Sequence, residues 1–397
     1  MFLDFEAFNK KLPQPITDSK TEKKTKHKPS GFAYKRISTD PRYRKPIVKY
    51  TGDDVALTFL EMMEDEQIEI EKILKKITPM NLTPIQEMEF QKAEYCHICE
   101  KKFYKNSKNI RVRDHDHLTG EYRGPSHQTC NLKFKNSYKL KVFMHNAKNY
   151  DTHLIMQGVS KFSPDKVTCI PQNAEKYISF TIDKIEFVDS YQFLSTSLAT
   201  LTKNLLSSGK ENFKNVASDM PAGCLDLLCQ KSAFPYTWFD SKEKLKETAL
   251  PPIEAFHNDL TNEDCSQEAY DHSQAVWKRF EMQTFQDYHD FYMKMDILLL
   301  ADCFEYFRDV CLERYGLDPC HYYTCPGLSW DAMLKTTGVE LELIQDYDKY
   351  LMFESGIRGA LSCISDREGI PNNPDVPNFN PEQPTSYIFD LGMNKLW

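Results

Sequence analysis

Four cysteine and histidine residues fall in two pairs, Cys96-His-Ile-Cys99 and His127-Gln-Thr-Cys130, with 27 residues between them. Each pair leaves two residues between its donors. Cys96, Cys99, His127 and Cys130 can therefore converge tetrahedrally on Zn²⁺. His97 lies inside the first pair and is not counted as a ligand. Between the pairs runs Asp114-His115-Asp116-His117. Two acids and two imidazoles in four positions can present a metal-binding carboxylate together with a general base. Asn131, directly after Cys130, could complete a divalent-metal site. A second set of acids is spread along the chain. Asp4 and Glu6 are two apart, Asp151 closes His145-Asn-Ala-Lys-Asn-Tyr-Asp151, and Asp296 follows Tyr292 by four. Hydrolysing a phosphodiester with two Mg²⁺ ions needs about four acidic ligands and a group that orients water. Asp4, Glu6, Asp151 and Asp296 make up that set, with Tyr292 as the orienting hydroxyl.

The elements that must position these residues follow from periodicity. Phe2-Leu-Asp-Phe-Glu-Ala-Phe8 alternates apolar and acidic residues and reads as a strand with both carboxylates on one side. Residues 10–30 are rich in Lys, Pro and Thr and read as a loop. Apolar residues at helical spacing predict helices over 53–76, 198–206 and 287–314. Thr83-Pro84 opens a short helix through Ala93, with Pro at a first-turn position. Strands are expected at 141–145, 177–182, 185–189 and 386–390. Residues 240–285 read as charged and mostly helical, and 365–385, with their prolines and asparagines, as a loop. Asp189 reads as a structural cap, with a strand-end carboxylate near the acids as the alternative. No internal repeat is visible. Strands mixed with long helices make the chain α/β or α+β.

Composition bounds the rest. The 397 residues suffice for two or three domains, and 41% hydrophobic content can bury a sizeable core, which excludes wholesale disorder. No apolar run reaches membrane-spanning length, and the start of the chain lacks a signal peptide's pattern. Twelve cysteines in a chain this long suit a reducing compartment with a metal site rather than a disulfide scaffold. The net charge of −8 hides an asymmetry: Cys96 to Lys148 holds 12 Lys/Arg and four Asp/Glu, so this short segment carries +8 and suits a polyanion. A further basic run, Lys20 to Lys28, reads as a solvated loop, with a phosphate or nuclear-import contact as the alternative.

Two resemblances sharpen this reading. Cys-x2-Cys, Asp114-His-Asp-His-Leu-Thr-Gly120, Arg123-Gly124 and His-x2-Cys-Asn131 resemble the endonuclease VII branch of the His-Me-finger nucleases. The resemblance implies a ββα-metal unit with a structural zinc. Asp114 and Asn131 would hold Mg²⁺, His115 would be the base or scissile-phosphate ligand, and His117 would support it. His127 stands where that nuclease usually has Cys and still ligates zinc. The unit could cleave DNA or only grip it. Outside it, Asp4-x-Glu6, Asn146 through Tyr150-Asp151 and Tyr292-x3-Asp296 stand in the order of the three exonuclease motifs of family B DNA polymerases. That resemblance implies a ribonuclease H-like DEDD 3′–5′ exonuclease fold. Asn146, Ser197 and Leu198 would hold the single-stranded 3′ end, and Lys231 would contact its phosphate.

Phrases along nearly the whole chain are similar to the protein-primed polymerases of Maverick/Polinton transposons, among them Glu175-Lys-Tyr-Ile178, Phe234-Pro-Tyr236, Leu298-Leu-Leu-Ala-Asp302, Tyr322-Tyr-Thr-Cys-Pro-Gly327 and Gly356-Ile-Arg-Gly359. The implied organisation is exonuclease over 1–90 and 138–345, a zinc insert over 91–137, and the beginning of a polymerase palm over 346–397. Asp390 would be a palm metal ligand. No second polymerase carboxylate motif follows, so the expectation is a fragment that cannot extend a primer. The implied cofactors are Mg²⁺ or Mn²⁺ and Zn²⁺. The implied partners are DNA and a terminal priming protein, with no membrane, in a monomer working in the nucleus. The rival readings are a structure-specific endonuclease nicking branched DNA, and a non-catalytic DNA-binding remnant.

Overall fold

The alternation in the first strand decides which side of the molecule receives which chemistry. The computed structural model describes residues 1–12, 25–104, 109–133, 139–162, 164, 166–173, 175–259, 262–356 and 369–388. The chain divides into two compact units, Met1–Cys325 and Pro326–Trp397. In the first, β1 (Phe2–Lys11), β2 (Thr25–Lys35) and β3 (Val48–Thr51) are followed by helices α1 (Val55–Lys75) and α2 (Pro84–Lys92). A small unit of β4 (Arg111–His115), β5 (Tyr122–His127) and α3 (Gln128–Lys133) comes next. Then come β6 (Leu140–Met144), α4 (Asp151–Phe162), β7 (Val167–Pro171), β8 (Tyr177–Ile182) and β9 (Ile185–Asp189).

Seven of these strands form one sheet in the order β3-β2-β1-β6-β9-β8-β7, while β4 and β5 pair separately. Strands β1, β6 and β9 run parallel at the centre, and the flanking pairs are antiparallel. This mixed α/β architecture agrees with the ribonuclease H-like expectation. The remaining helices of the first unit are α5 (Leu198–Ser207), α6 (Lys214–Asp219), α7 (Leu225–Leu228), α8 (Gln267–Arg279) and α9 (Phe285–Tyr315).

On one face of β1, Leu3, Phe5 and Ala7 join a core with Phe59, Leu60 and Met63 of α1 and Leu154 and Ile155 of α4. Each large apolar side chain buried there contributes about 1.5–3 kcal/mol. On the other face Phe2 packs on Phe143 and on Phe304 of α9, and Phe8 on Phe239. Asp4 and Glu6 lie between those two aromatic anchors. Helix α9 is buried nearly all round from Phe285 to Phe304, as a helix in the interior must be. Asp287 accepts a hydrogen bond from the Thr284 backbone N–H at its start, and Gly316, at φ 60°, ends it in the left-handed region.

Some expectations are corrected. Residues 25–30, expected in a loop, belong to β2, because pairing with β1 outweighs their Lys-rich composition. Residues 240–285 are not mostly helical. Before α8 the described residues form only 3-10 turns, Lys242–Lys246 and Ile253–Phe256, and Pro251 and Pro252 cannot donate the bonds a helix needs. Strands β3 and β7 and helix α4 were not anticipated. In the second unit α10 (Cys325–Thr337) and α11 (Tyr347–Gly356) precede a loop closed by an antiparallel bridge between Asn372 and Ser386. Of the expected terminal strand only that bridge is seen, and Asp390 lies outside the described residues.

Candidate active site and zinc unit

Strand β1 and helix α9 bring three of the acids to one place. Carboxylate oxygens of Asp4, Glu6 and Asp296 all lie within 4.8 Å of one another. Asp151, the first residue of α4, reaches the same site from the opposite layer. The Phe5 backbone N–H bonds its carboxylate, and its charge acts on both Asp4 and Glu6. Sequence periodicity accounts for this convergence. The i, i+2 spacing puts Asp4 and Glu6 on one face of a strand, and the i, i+4 spacing stacks Tyr292 over Asp296 on a helix.

The site is largely buried and crowded with like charge. Glu6, Asp151 and Asp296 are each about 5% exposed or less. Burial first, and then Asp296, Asp151 and Glu6, hold the Asp4 carboxyl well above its usual range. Burial and Asp296 do the same to Glu6. Burial and Asp189 push Asp151 up to about 7. Burial also raises Asp296, against the pull of the Lys231 ammonium 2.7 Å from its Oδ2. One cation cannot balance four carboxylates. Asp4 Oδ2, Asp151 Oδ1 and Asp296 Oδ1 are buried and lack a hydrogen-bond partner among the described residues. A set of orphaned carboxylate oxygens fits hard divalent cations, which take oxygen ligands.

Around the acids, the Tyr292 hydroxyl lies 2.8 Å from that of Tyr236, and Lys231 Nζ sits 5.1 Å from the centre of the Tyr292 ring. Burial and the Asp296 charge raise the Tyr292 hydroxyl well above its ordinary value, so it stays protonated and can donate. His145, at the exit of β6, joins Ser190 Oγ at 2.9 Å and donates from Nε2 to the Thr196 carbonyl at 2.8 Å. That tether holds the chain just before Ser197. Ser197 Oγ accepts from the Thr200 backbone N–H as the cap of α5, and Asn146 takes a left-handed backbone with its Oδ1 accepting from Asn149. Leu198, the first residue of α5, is buried. Asp189 is a cap: its carboxylate accepts from the Tyr191 and Lys148 backbone N–H groups.

In the small unit, the donor atoms of Cys96, Cys99, His127 and Cys130 lie within 4.8 Å of one another, a Cys3His set that could hold zinc. Burial opposes ionisation of Cys96, yet backbone N–H bonds from Cys99, His127 and Ile98 pull its thiol down to about 6, which readies a thiolate ligand. His97 is outside this set and bonds Asp114 Oδ2 at 2.9 Å. Asp114 is 1% exposed, and Arg123 occupies both its oxygens at 3.1 and 2.7 Å. The carboxylate expected to hold a second metal is therefore committed to a guanidinium and an imidazole. The rings of His115 and His117 lie 4.8 Å apart, and Asn131 is half-buried on α3. Backbone bonds tie the turn after β4 to the segment leaving α1: Thr78 N–H donates to the His117 carbonyl and Asn81 N–H to that of Gly120.

Residues 130–355, more than half of the chain, match the family DNA polymerase type B, organellar and viral. The chain belongs to that family. Residues 71–150 are similar to recombination endonuclease VII, a span that holds all four sulfur and imidazole donors and Asp114 through Asn131. No curated protein and no solved structure matches the chain.

Asp151, Lys231, Tyr292 and Asp296 fall within the type B polymerase match, and Asp4 and Glu6 precede it. For this polymerase-family chain DNA is the partner, and residues of its site that sequence reasoning left without a role are Tyr236 and His145. Tyr236 stood in the phrase Phe234-Pro-Tyr236 without a function, and only the fold shows its hydroxyl against Tyr292.

Proposed function

We propose that the chain carries a 3′–5′ exonuclease that removes nucleotides from single-stranded DNA ends with Mg²⁺ or Mn²⁺. The observation that carries this is the convergence of Asp4, Glu6 and Asp296, with Asp151 beside them, each contributing to a buried negative centre with orphaned oxygens. Asp4, Glu6, Asp151 and Asp296 would hold the cations, which, when bound, supply Lewis acidity to the scissile phosphate and lower the pKa of water. The chain's own residues do the rest. The neutral Tyr292 hydroxyl donates to the attacking water and fixes its approach, while Tyr236 fixes the Tyr292 hydroxyl. Lys231 remains charged and balances part of the site before the strand enters. His145 sets the loop that leads to Ser197, where the strand end would lie.

On this reading residues 1–90 and 138–345 form the exonuclease and 91–137 the zinc insert. The match to type B polymerases supports a chain acting in DNA replication, and the shared phrases support the protein-primed Maverick/Polinton kind. The purified chain is expected to shorten a 5′-labelled single strand stepwise with Mg²⁺ or Mn²⁺. Asp4→Ala/Glu6→Ala should lose at least about a thousandfold in rate, the range expected for groups that organise transition-state charge. A wild-type chain that trims no 3′ end refutes the reading. The likeness to endonuclease VII and the His115–His117 pair favour a second activity, nicking of branched DNA. The same assay on a closed circle, which has no end, separates the two, and a circle left uncut would mean a zinc unit that grips DNA without cutting it.

A further inference from the structure

The strand that carries Asp4 and Glu6 does not stop at the edge of the core. It runs on with β2 as a two-stranded ribbon whose register sets Phe8 opposite Lys28, Asn9 opposite His27, Lys10 opposite Lys26 and Lys11 opposite Thr25. Lys10, Lys11, Lys26 and Lys28 are all exposed. None of the four makes an ion pair among the described residues. Asp53, the acid that feels Lys28, is already bonded by Lys242 at 3.0 Å. Like charges directly opposite one another, as in Lys10 and Lys26, destabilise a strand pair. Asp240, Asp259 and Asp264 share a cavity with Lys11, but among the described residues no ion pair to these lysines offsets that repulsion, whereas a polyanion would.

The position of the ribbon says where such a polyanion runs. Lys10 is four residues beyond Glu6 along one extended strand, about 13 Å at roughly 3.3 Å per residue. His27 Nδ1 lies 2.9 Å from the hydroxyl of Tyr150, the neighbour of Asp151, so the ribbon is anchored beside the acids. Two strands about 4.8 Å apart make a narrow basic track, matched to one backbone rather than to two.

We propose that the outer end of the β1–β2 ribbon is a clamp for the phosphate backbone of a single-stranded polynucleotide, holding it a few nucleotides from the scissile bond. Its direction along the strand rests on the exonuclease reading, but its existence as a binding site does not.

The test compares two full-length proteins in an Asp4→Ala/Glu6→Ala background, with and without Lys10→Ala/Lys11→Ala/Lys26→Ala/Lys28→Ala. Binding of a fluorescein-labelled oligothymidylate is followed by anisotropy over a range of KCl. Each phosphate contact contributes about 0.7 to the slope of log K against log salt on a single strand. The four lysines together should therefore make the slope shallower by about 2 to 3 and weaken binding tenfold or more. The melting temperature should stay level or rise, because opposed charges are removed. With Asp4 and Glu6 intact, the lysine variant should hydrolyse a small phosphodiester, the p-nitrophenyl ester of thymidine 5′-monophosphate, within twofold of wild type, since that substrate has no backbone to clamp. An unchanged salt slope, or a loss confined to duplex DNA, overturns the clamp. Failure of the wild type to hydrolyse any phosphodiester overturns the exonuclease reading instead and leaves the binding comparison intact.

Discussion

Among the four acids of the site, burial leaves Asp151 titrating close to neutrality. In the fold it ionises at about 7, through burial and then the charge of Asp189, whereas in the unfolded chain it would ionise near 3.9. The folded form therefore holds the extra proton between about pH 4 and about pH 7, and stability falls as pH rises through that window. In buffer without Mg²⁺ or Mn²⁺, Asp151→Asn is expected to remove that slope. By urea denaturation the wild type should lose on the order of a few kcal/mol relative to the variant between those limits. Added divalent cation should restore the wild type at the upper end only. Two parallel pH profiles would mean that Asp151 does not carry the charge conflict described here. The same residue marks the reach of sequence reasoning: its acid was legible from Asn146 through Tyr150, but its place at a helix start was not.

Helices α1 and α4 touch so closely that a glycine is needed between them. A Cβ at Gly158 would meet backbone atoms of Ala56 at 2.7 Å. On propensity alone, Gly158→Ala would stabilise α4 by about 1 kcal/mol. The clash is with backbone, which cannot swing aside, so overpacking at about 1–3 kcal/mol decides the sign. Gly158→Ala should lower the denaturation midpoint. Because α4 begins at Asp151, it should also slow 3′-end trimming more than Asp4-independent DNA binding. A rise in stability would show that the helices part without cost. Elements with strong local signals were legible from sequence: the alternation of β1, the Thr83-Pro84 start of α2 and the apolar spacing of α9 each act within a few residues. Strands β3 and β7 and the start of β2 were not, because partner strands rather than local composition hold them, and β7 is exposed throughout. The Asp4–Glu6–Asp296 cluster was legible as a set of residue types in order; the pairing of Asp114 with Arg123 and His97 was not, since no spacing announces it.

At the scale of the molecule, a module whose Cys3His set could hold zinc interrupts the chain between β1 and β6, two strands that are neighbours in the sheet. Its fold should depend on its metal, because a segment so short cannot build a sufficient core. Cys96→Ser/Cys99→Ser should abolish binding of about one equivalent of zinc, read by atomic emission. Protease should then cut between residues 93 and 133, while the sheet survives and trims 3′ ends within several-fold of wild type. Complete loss of the sheet would mean that the module is part of the core. Yet the turn bearing His117 is laced to Thr78 and Asn81 by the main chain itself. Whatever meets those imidazoles meets them at an orientation set by the segment that leaves α1, as a workpiece is held in a jig.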